Sequence, residues 1–479
     1  MAPRNPIQNL EKCATGIHGL DEILKGGLPR GRPTLVCGGA GSGKTLMAME
    51  FIVRGARDFG EPGAFMAFEE SEEELAQNVA SLGFDLKELT RRKLVAMDYV
   101  RIERSEIEET GEYDLEGLFV RLDSMISRTG AKRVAIDSLE ALFSELPNEA
   151  ILRAELRRLF RWLKGKGVTA VITGEQGRNT LTRHGLEEYI SDCVIFLDHR
   201  VVNQVATRRL RVVKYRGSAH GTSEYPTMID ERGLSVLPIS SLGLDYPVTS
   251  ERVSSGVAEL DRMLGGAGYY RGSSVMISGP AGTGKSSFSV AFVEGAFRRG
   301  ERTLYLAFEE APAQIVRNMA SIGYDVGKWV RKGLMRFHAV RSTLYGLEQH
   351  LVSIHKLVQG FKPEVVVFDP ITNMTSIGDR AEVQAMLTRV IDFLKIEGIT
   401  TLFTSLTSGG SALEQSEAGV SSLMDTWLLL RNLEIDGDRR RLIYVLKSRG
   451  MAHSSQVRGF DLTEKGIKIA PAPSRPRPA

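Results

Sequence analysis

The chain has 479 residues, 42% hydrophobic and 25% charged, with a net charge of +3. That length suits two to four domains, each with a sizeable core, and the near-neutral charge calls for neither nucleic acid nor an acidic partner. Cys13, Cys37 and Cys193 are scattered, which excludes a zinc pattern or disulfide framework and fits a reducing interior; no run approaches the about 20 apolar residues of a membrane span, and Met1 to Asn5 lead into no signal peptide, so the expected setting is the cytoplasm, away from membranes.

In chain order, a turn-rich segment, Thr15-Gly16-Ile17-His18-Gly19-Leu20-Asp21, comes first. Residues 34–37 are a short apolar run and predict a buried strand. Gly38-Gly39-Ala40-Gly41-Ser42-Gly43-Lys44-Thr45 follows, in the form G-x-x-x-x-G-K-[ST] of a loop that cradles nucleotide phosphates. Its glycines let backbone N–H groups converge on phosphate oxygens. Lys44 supplies a point charge near the β- and γ-phosphates, and Thr45 a hydroxyl for Mg2+. Residues 44–59 predict a helix whose positive N-terminal end faces the anion. Residues 64–68 predict a strand that runs into Glu69-Glu70, and Ser71 opens a helix with Glu72, Glu73 and Glu74 in its first turn. Residues 133–137 predict a strand ending in Asp137, residues 149–164 an amphipathic helix, and residues 168–172 a further strand. Strands alternating with helices predict an α/β fold, a mostly parallel sheet flanked by helices. In such sheets the ligand sits at the carboxyl ends of the strands, where these acids stand.

The second half repeats this order at a spacing of about 240 residues. Ser255-Gly256-Val257-Ala258-Glu259-Leu260-Asp261 answers the opening segment. Gly279-Pro280-Ala281-Gly282-Thr283-Gly284-Lys285-Ser286 answers the loop, Glu309-Glu310 the glutamate pair, and Asp369 the strand-end acid. Lys214-Tyr215-Arg216-Gly217 returns as Lys447-Ser448-Arg449-Gly450. Strands are expected at residues 274–278, 303–308, 364–369 and 400–404, with helices at 285–298 and 381–396. The repetition predicts two homologous domains, 1–240 and 248–470, joined by a turn-rich stretch, and a proline-rich tail at 471–479.

Several of these residues support two readings. Asp137 and Asp369 either organise Mg2+, as acids do in P-loop NTPases, or cap a turn; the loops upstream favour the metal. Glu69 and Glu309 suit a proton acceptor for an attacking water or hydroxyl. Glu70 and Glu310 suit that role and a favourable first helical turn equally. Lys214 with Arg216, and Lys447 with Arg449, share one face of late strands; the pattern favours a solvated strand edge over a phosphate clamp. Ser421-Ser422, in a Gly- and Ser-rich stretch, reads as a loop.

Together these motifs resemble the KaiC family, RecA-like ATPases of the bacterial circadian clock. The resemblance rests on the two opening segments, both phosphate loops, both Phe-Glu-Glu motifs, and both Lys-x-Arg-Gly motifs with His220 and His453 after them. It implies two tandem RecA-like P-loop domains and a homohexamer of two stacked rings, with Mg-ATP bound between subunits. By it, Lys214, Arg216 and His220 in the first ring, and Lys447 and Arg449 in the second, reach a neighbour's nucleotide, which reverses the pattern-only preference. The first ring would be a slow ATPase in which Glu69 and Glu70 activate water. The second would be a serine/threonine autokinase with Glu309 and Glu310 as bases. Its phosphoacceptors would be Ser421 and Ser422, before Asp425-Thr426, with Ser422 where the family usually has threonine. The acid-rich residues 101–113 resemble the protruding loop near which KaiB acts, so a KaiB-like partner is expected. After Gly466 the chain holds Ile467-Lys468-Ile469-Ala470 and the proline-rich tail, unlike the segment that binds KaiA, so stimulation by KaiA is not expected. A RecA-like DNA motor is disfavoured by the near-neutral charge and the lack of a four-cysteine finger, and a nucleotide-gated scaffold by intact glutamates in both halves.

Overall fold

The chain separates into two compact units, Met1–Ser241 and Leu242–Ala479, each with its own core. A computed structural model describes residues 10–100, 116–140, 149–178, 180–183, 185, 190–202, 205–238, 248–407, 421–435 and 438–471. The acid-rich segment 101–113 and the tail beyond Pro471 lie outside the described residues.

In the first unit, a nine-stranded sheet includes the parallel strands β1 (Pro33–Gly38), β2 (Gly63–Ala67), β3 (Val95–Tyr99), β4 (Arg133–Asp137) and β5 (Thr169–Glu175). β6 (Cys193–Val202) runs parallel to β1 on its other side. β7 (Val205–Tyr215), β8 (Glu224–Asp230) and β9 (Gly233–Val236) then continue the sheet antiparallel. The order across the sheet is β9-β8-β7-β6-β1-β5-β4-β2-β3. Helices α1 (Lys44–Asp58), α2 (Glu72–Ala80), α3 (Glu116–Thr129) and α4 (Glu149–Lys166) alternate with the strands.

The central strand is apolar throughout because both of its faces are covered. Leu35 and Cys37 pack with α3 and α4 in one core, while Val36 packs with α1 in the other, as the two-residue period of a strand requires. On α4, Leu152, Leu156, Leu159 and Leu163 recur at helical spacing and are all buried. Helix α2 starts at Ser71, as expected. The Glu74 N–H donates to Ser71 Oγ, and the Ser71 N–H donates to Glu74 Oε2, closing a capping box.

The second unit repeats the plan. Its strands are β10 (Ser274–Gly279), β11 (Thr303–Ala307), β12 (Met335–Ala339), β13 (Val365–Asp369), β14 (Thr400–Leu406), β15 (Thr426–Ile435), β16 (Asp438–Ser448), β17 (Arg458–Thr463) and β18 (Gly466–Ile469). Their order, β12-β11-β13-β14-β10-β15-β16-β17-β18, matches that of the first unit. Helices α5 (Lys285–Arg298), α6 (Pro312–Ala320), α7 (Leu347–Phe361) and α8 (Arg380–Ile396) cover it. The expected mostly parallel sheets are present in both units, each with an antiparallel extension carrying the late strands.

The cores differ at Arg133, whose side chain is 1% exposed. Its Nε donates to Glu61 Oε2 at 2.7 Å, Nη1 to the Phe51 carbonyl at 3.0 Å and Nη2 to the Ala14 carbonyl at 2.8 Å. Gly55 leaves the necessary room, since a Cβ there would lie 2.3 Å from Arg133 Cδ. Val365 opens β13 as Arg133 opens β4. No helix among the described residues is long and apolar enough to cross a membrane.

Candidate nucleotide sites

Each phosphate loop joins the end of a central strand to the start of a helix. Gly43 and Gly284 stand at the N-caps with φ of 102° and 99°, the left-handed region open to glycine. A Cβ on Gly38 would lie 2.2 Å from the Leu197 carbonyl oxygen, so the strand-to-loop exit also needs glycine. Gly41 and Gly282 share the left-handed conformation, and the hydroxyl-bearing Ser42 and Thr283 between the glycines are buried.

Both loop lysines fold back over their own loops. Lys44 Nζ donates to the carbonyls of Gly38 and Gly39 at 3.0 Å each. Lys285 Nζ donates to those of Gly279 and Pro280 at 2.9 and 2.8 Å. Burial pulls the Lys285 ammonium down to about 8, against the opposing pull of Asp369 and Glu309. A buried lysine with this environment is poised for an anion.

The strand-end acids meet these loops. Thr173 donates to Asp137, and the Thr45 hydroxyl also bonds it; burial nevertheless raises the Asp137 carboxyl above its ordinary value, with Glu69 adding to the rise. In the second unit Thr404 and Tyr305 both donate to Asp369. There Lys285, Ser286, Glu309, Glu310 and Asp369 line one cavity of about 160 Å³ with Gly282 at its rim. Burial, with Asp369 and Glu309 close by, raises the Glu310 carboxyl. Glu69 accepts from Ser138 Oγ at 2.7 Å, and Glu70 from Asn78 Nδ2 at 3.2 Å.

The late cations and the candidate acceptor serines stand elsewhere. Strand β6 runs parallel to β1 with Cys193 beside Thr34, and β7 returns with Lys214 beside Val194. Lys214 and Arg216 are therefore at the start of β1, whereas the phosphate loop follows its end. From Thr34 to Gly38 the strand covers about 13 Å at about 3.3 Å per residue. The second unit repeats this arrangement, with Thr426 beside Val275 and Lys447 beside Trp427. The Ser421–Leu423 turn lies just before Thr426, and the Asp425 N–H donates to the Ser274 carbonyl at 2.9 Å. Arg449 Nη2 donates to the Ser422 carbonyl at 2.6 Å. The Ser421 side chain is outside the described residues. His220 and His453 occupy matching turns, each with Nδ1 3.5 Å from a carbonyl two residues earlier, Ser218 and Met451.

A family model described as the KaiC ATPase domain matches the chain twice, over residues 13–241 and 253–474. The chain belongs to the KaiC family of circadian clock proteins. It is 55% identical to the circadian clock protein KaiC2 of Synechocystis sp. over 98% of its own length and 84% of the relative's. It is 35% identical to KaiC3 of the same organism, over 96% of this chain and 92% of that one. It is also 35% identical to the circadian clock oscillator protein KaiC of Prochlorococcus marinus, over 96% and 93%. The two units are thus tandem RecA-like ATPase domains of KaiC type.

The sequence reading missed the groups that hold the carboxylates of these KaiC domains. Thr173 and Thr404 occupy matching places on β5 and β14, and Asn78 repeats as Asn318 beside Glu310. Those pairs were findable as further points of the repeat. Ser138 and Tyr305 break the repeat, being replaced by Pro370 and Phe65, and only the folded chain shows what each touches. Among the described residues no cluster of three His, Cys, Asp or Glu could cage a metal. One acid and one hydroxyl per site fit a Mg2+ carried in on nucleotide phosphates, the usual habit of that ion.

Proposed function

We propose that the protein is a Mg-ATP-dependent ATPase and serine autokinase that works as a homohexamer of two stacked rings. The observation that carries this reading is the placement of the groups along each sheet. Phosphate loop, strand-end acid and glutamates gather at the carboxyl end, while the cations and the candidate acceptor lie at the other. A chain cannot bring its own Ser422 to its own Lys285 without dismantling β10. A head-to-tail ring, in which each subunit's trailing end meets the next subunit's loop, solves that problem and closes.

In this reading Lys214, Arg216 and His220, and likewise Lys447 and Arg449, complete the neighbour's site and neutralise charge on the transferring phosphoryl group. Thr45 with Asp137, and Ser286 with Asp369, would hold a Mg2+ ion, which would supply positive charge to offset that of the phosphates. At the first site a water oxygen attacks the γ-phosphorus, the bond to the bridging oxygen breaks, and Glu69, assisted by Glu70, takes the proton. At the second site the attacking oxygen is the hydroxyl of Ser421 or Ser422, its proton goes to Glu309 or Glu310, and ADP leaves. The Ser138 hydrogen bond supports this division. It holds Glu69 in one pose, as a water-positioning base needs, while Pro370 gives Glu309 no such tether. A KaiB-like partner at residues 101–113 extends the same reading.

The test is incubation of the full chain with Mg-ATP followed by phosphosite mapping. Phosphate on Ser421 or Ser422 is expected. ATP turnover with neither serine modified would overturn the autokinase and leave the ATPase.

A further inference from the structure

The two sites spend one extra hydroxyl on different carboxylates. In the first site Ser138 donates to Glu69. In the second site Pro370 removes that donor, and a hydroxyl absent from the first site appears on Tyr305, which donates to Asp369 Oδ2. The corresponding residue on β2 is Phe65.

We infer that Tyr305 is a positioning residue of the second nucleotide site, fixing Asp369 for the divalent cation that accompanies ATP. Strand β13 lies between β11 and β14, with Ala307 beside Asp369. Tyr305, two residues earlier on β11, is fully buried, and its phenol reaches Oδ2. Thr404 on β14 reaches Oδ1 from the other side. Both carboxylate oxygens are thereby anchored from flanking strands, and rotation about the carboxylate's last torsion is blocked. Asp369 lines the same cavity as Lys285 and Ser286. Asp137 in the first site has Thr173 and Thr45 instead, and Phe65 offers it nothing. Groups that orient a metal-binding carboxylate from behind are worth about 10–100-fold in metal affinity.

This inference rests on the reading that Asp369 organises Mg2+, and the test separates the two. The substitution is Tyr305→Phe, which removes one oxygen and copies the first site. Binding of a fluorescent N-methylanthraniloyl-ATP to the full chain is titrated with MgCl2, the second-site component being the one that Lys285→Ala abolishes. Tyr305→Phe should leave the magnesium-free affinity within about twofold while raising the half-saturating Mg2+ concentration about tenfold. An unchanged Mg2+ requirement overturns the inference. So does an equal loss with and without Mg2+, which would mark Tyr305 as structural only. Asp369→Asn is the control. If it shifts the Mg2+ requirement and Tyr305→Phe does not, only the role of Tyr305 fails. If Asp369→Asn shifts nothing, the metal reading fails and takes the inference with it.

Discussion

The hydroxyl of Ser138 offers a sharp test of how the first site is built. It donates to Glu69 Oε1 at 2.7 Å. A hydrogen bond to a charged group contributes about 1.5–3 kcal/mol, and because Glu69 is exposed to water the lower end applies. At about 1.4 kcal/mol per factor of ten, Ser138→Ala should slow hydrolysis about tenfold. Positioning should dominate, because a general base must lie within hydrogen-bond reach of the proton it takes before its strength matters. Substrate binding uses other groups, so KM should hold. The assay is steady-state ADP release in a Ser421→Ala, Ser422→Ala background, where no ATP is spent on the acceptors. Unchanged kcat, or a defect confined to KM, would refute the argument that Ser138 acts through Glu69.

Three further outcomes follow from other parts of the chain. Glu309→Gln with Glu310→Gln should cut autophosphorylation at least about 100-fold, the scale of a general base, and spare most ADP release; parallel loss of both activities would dissolve the assigned division between sites. Arg133→Ala should destabilise the first unit by about 3–5 kcal/mol, because it leaves the part-buried Glu61 and two carbonyls short of a donor. Calorimetry should show the transition of the first unit move to lower temperature, and a shift under about 1 kcal/mol would mean Arg30 alone satisfies Glu61. Glu50 is fully buried, and burial raises its carboxyl above the ordinary 4.5 despite the Leu234 N–H and Arg54. The folded state therefore holds this proton more tightly than the unfolded chain. Stability from Glu50 is present below pH 4.5 and is lost as pH rises through the raised folded value. Urea midpoints of the parent should accordingly fall relative to Glu50→Gln as pH climbs above 4.5, and a pH-independent difference would contradict the sign.

Much of this architecture was legible in the chain because repetition and period carry it. The phosphate loops are defined by residue type at fixed spacing, and both fall where a strand end meets a helix start. Central strands such as residues 34–37 read as unbroken apolar runs because helices cover both faces. The antiparallel extension was harder, since β7 mixes arginines with apolar residues and is only half buried. Pattern alone took Lys214, Arg216, Lys447 and Arg449 for strand-edge cations. Their position opposite the loops is a property of strand register, which no local window holds. Ser138 and Tyr305 were least legible, because each matters through one contact with a residue 64–69 positions away in the chain. A repeat comparison marks both as exceptions without saying what they touch.

The central claim is that the second site is shared between chains, and subunit mixing tests it most directly. A Lys285→Ala chain keeps the acceptor serines but lacks the loop charge. A Ser421→Ala, Ser422→Ala chain keeps the loop but lacks the acceptors. Each alone should incorporate no phosphate from labelled ATP. Mixed and reassembled, they should label the Lys285→Ala chain, with the signal greatest near equal proportions. Mixed rings in which that chain stays unlabelled would contradict transfer between subunits.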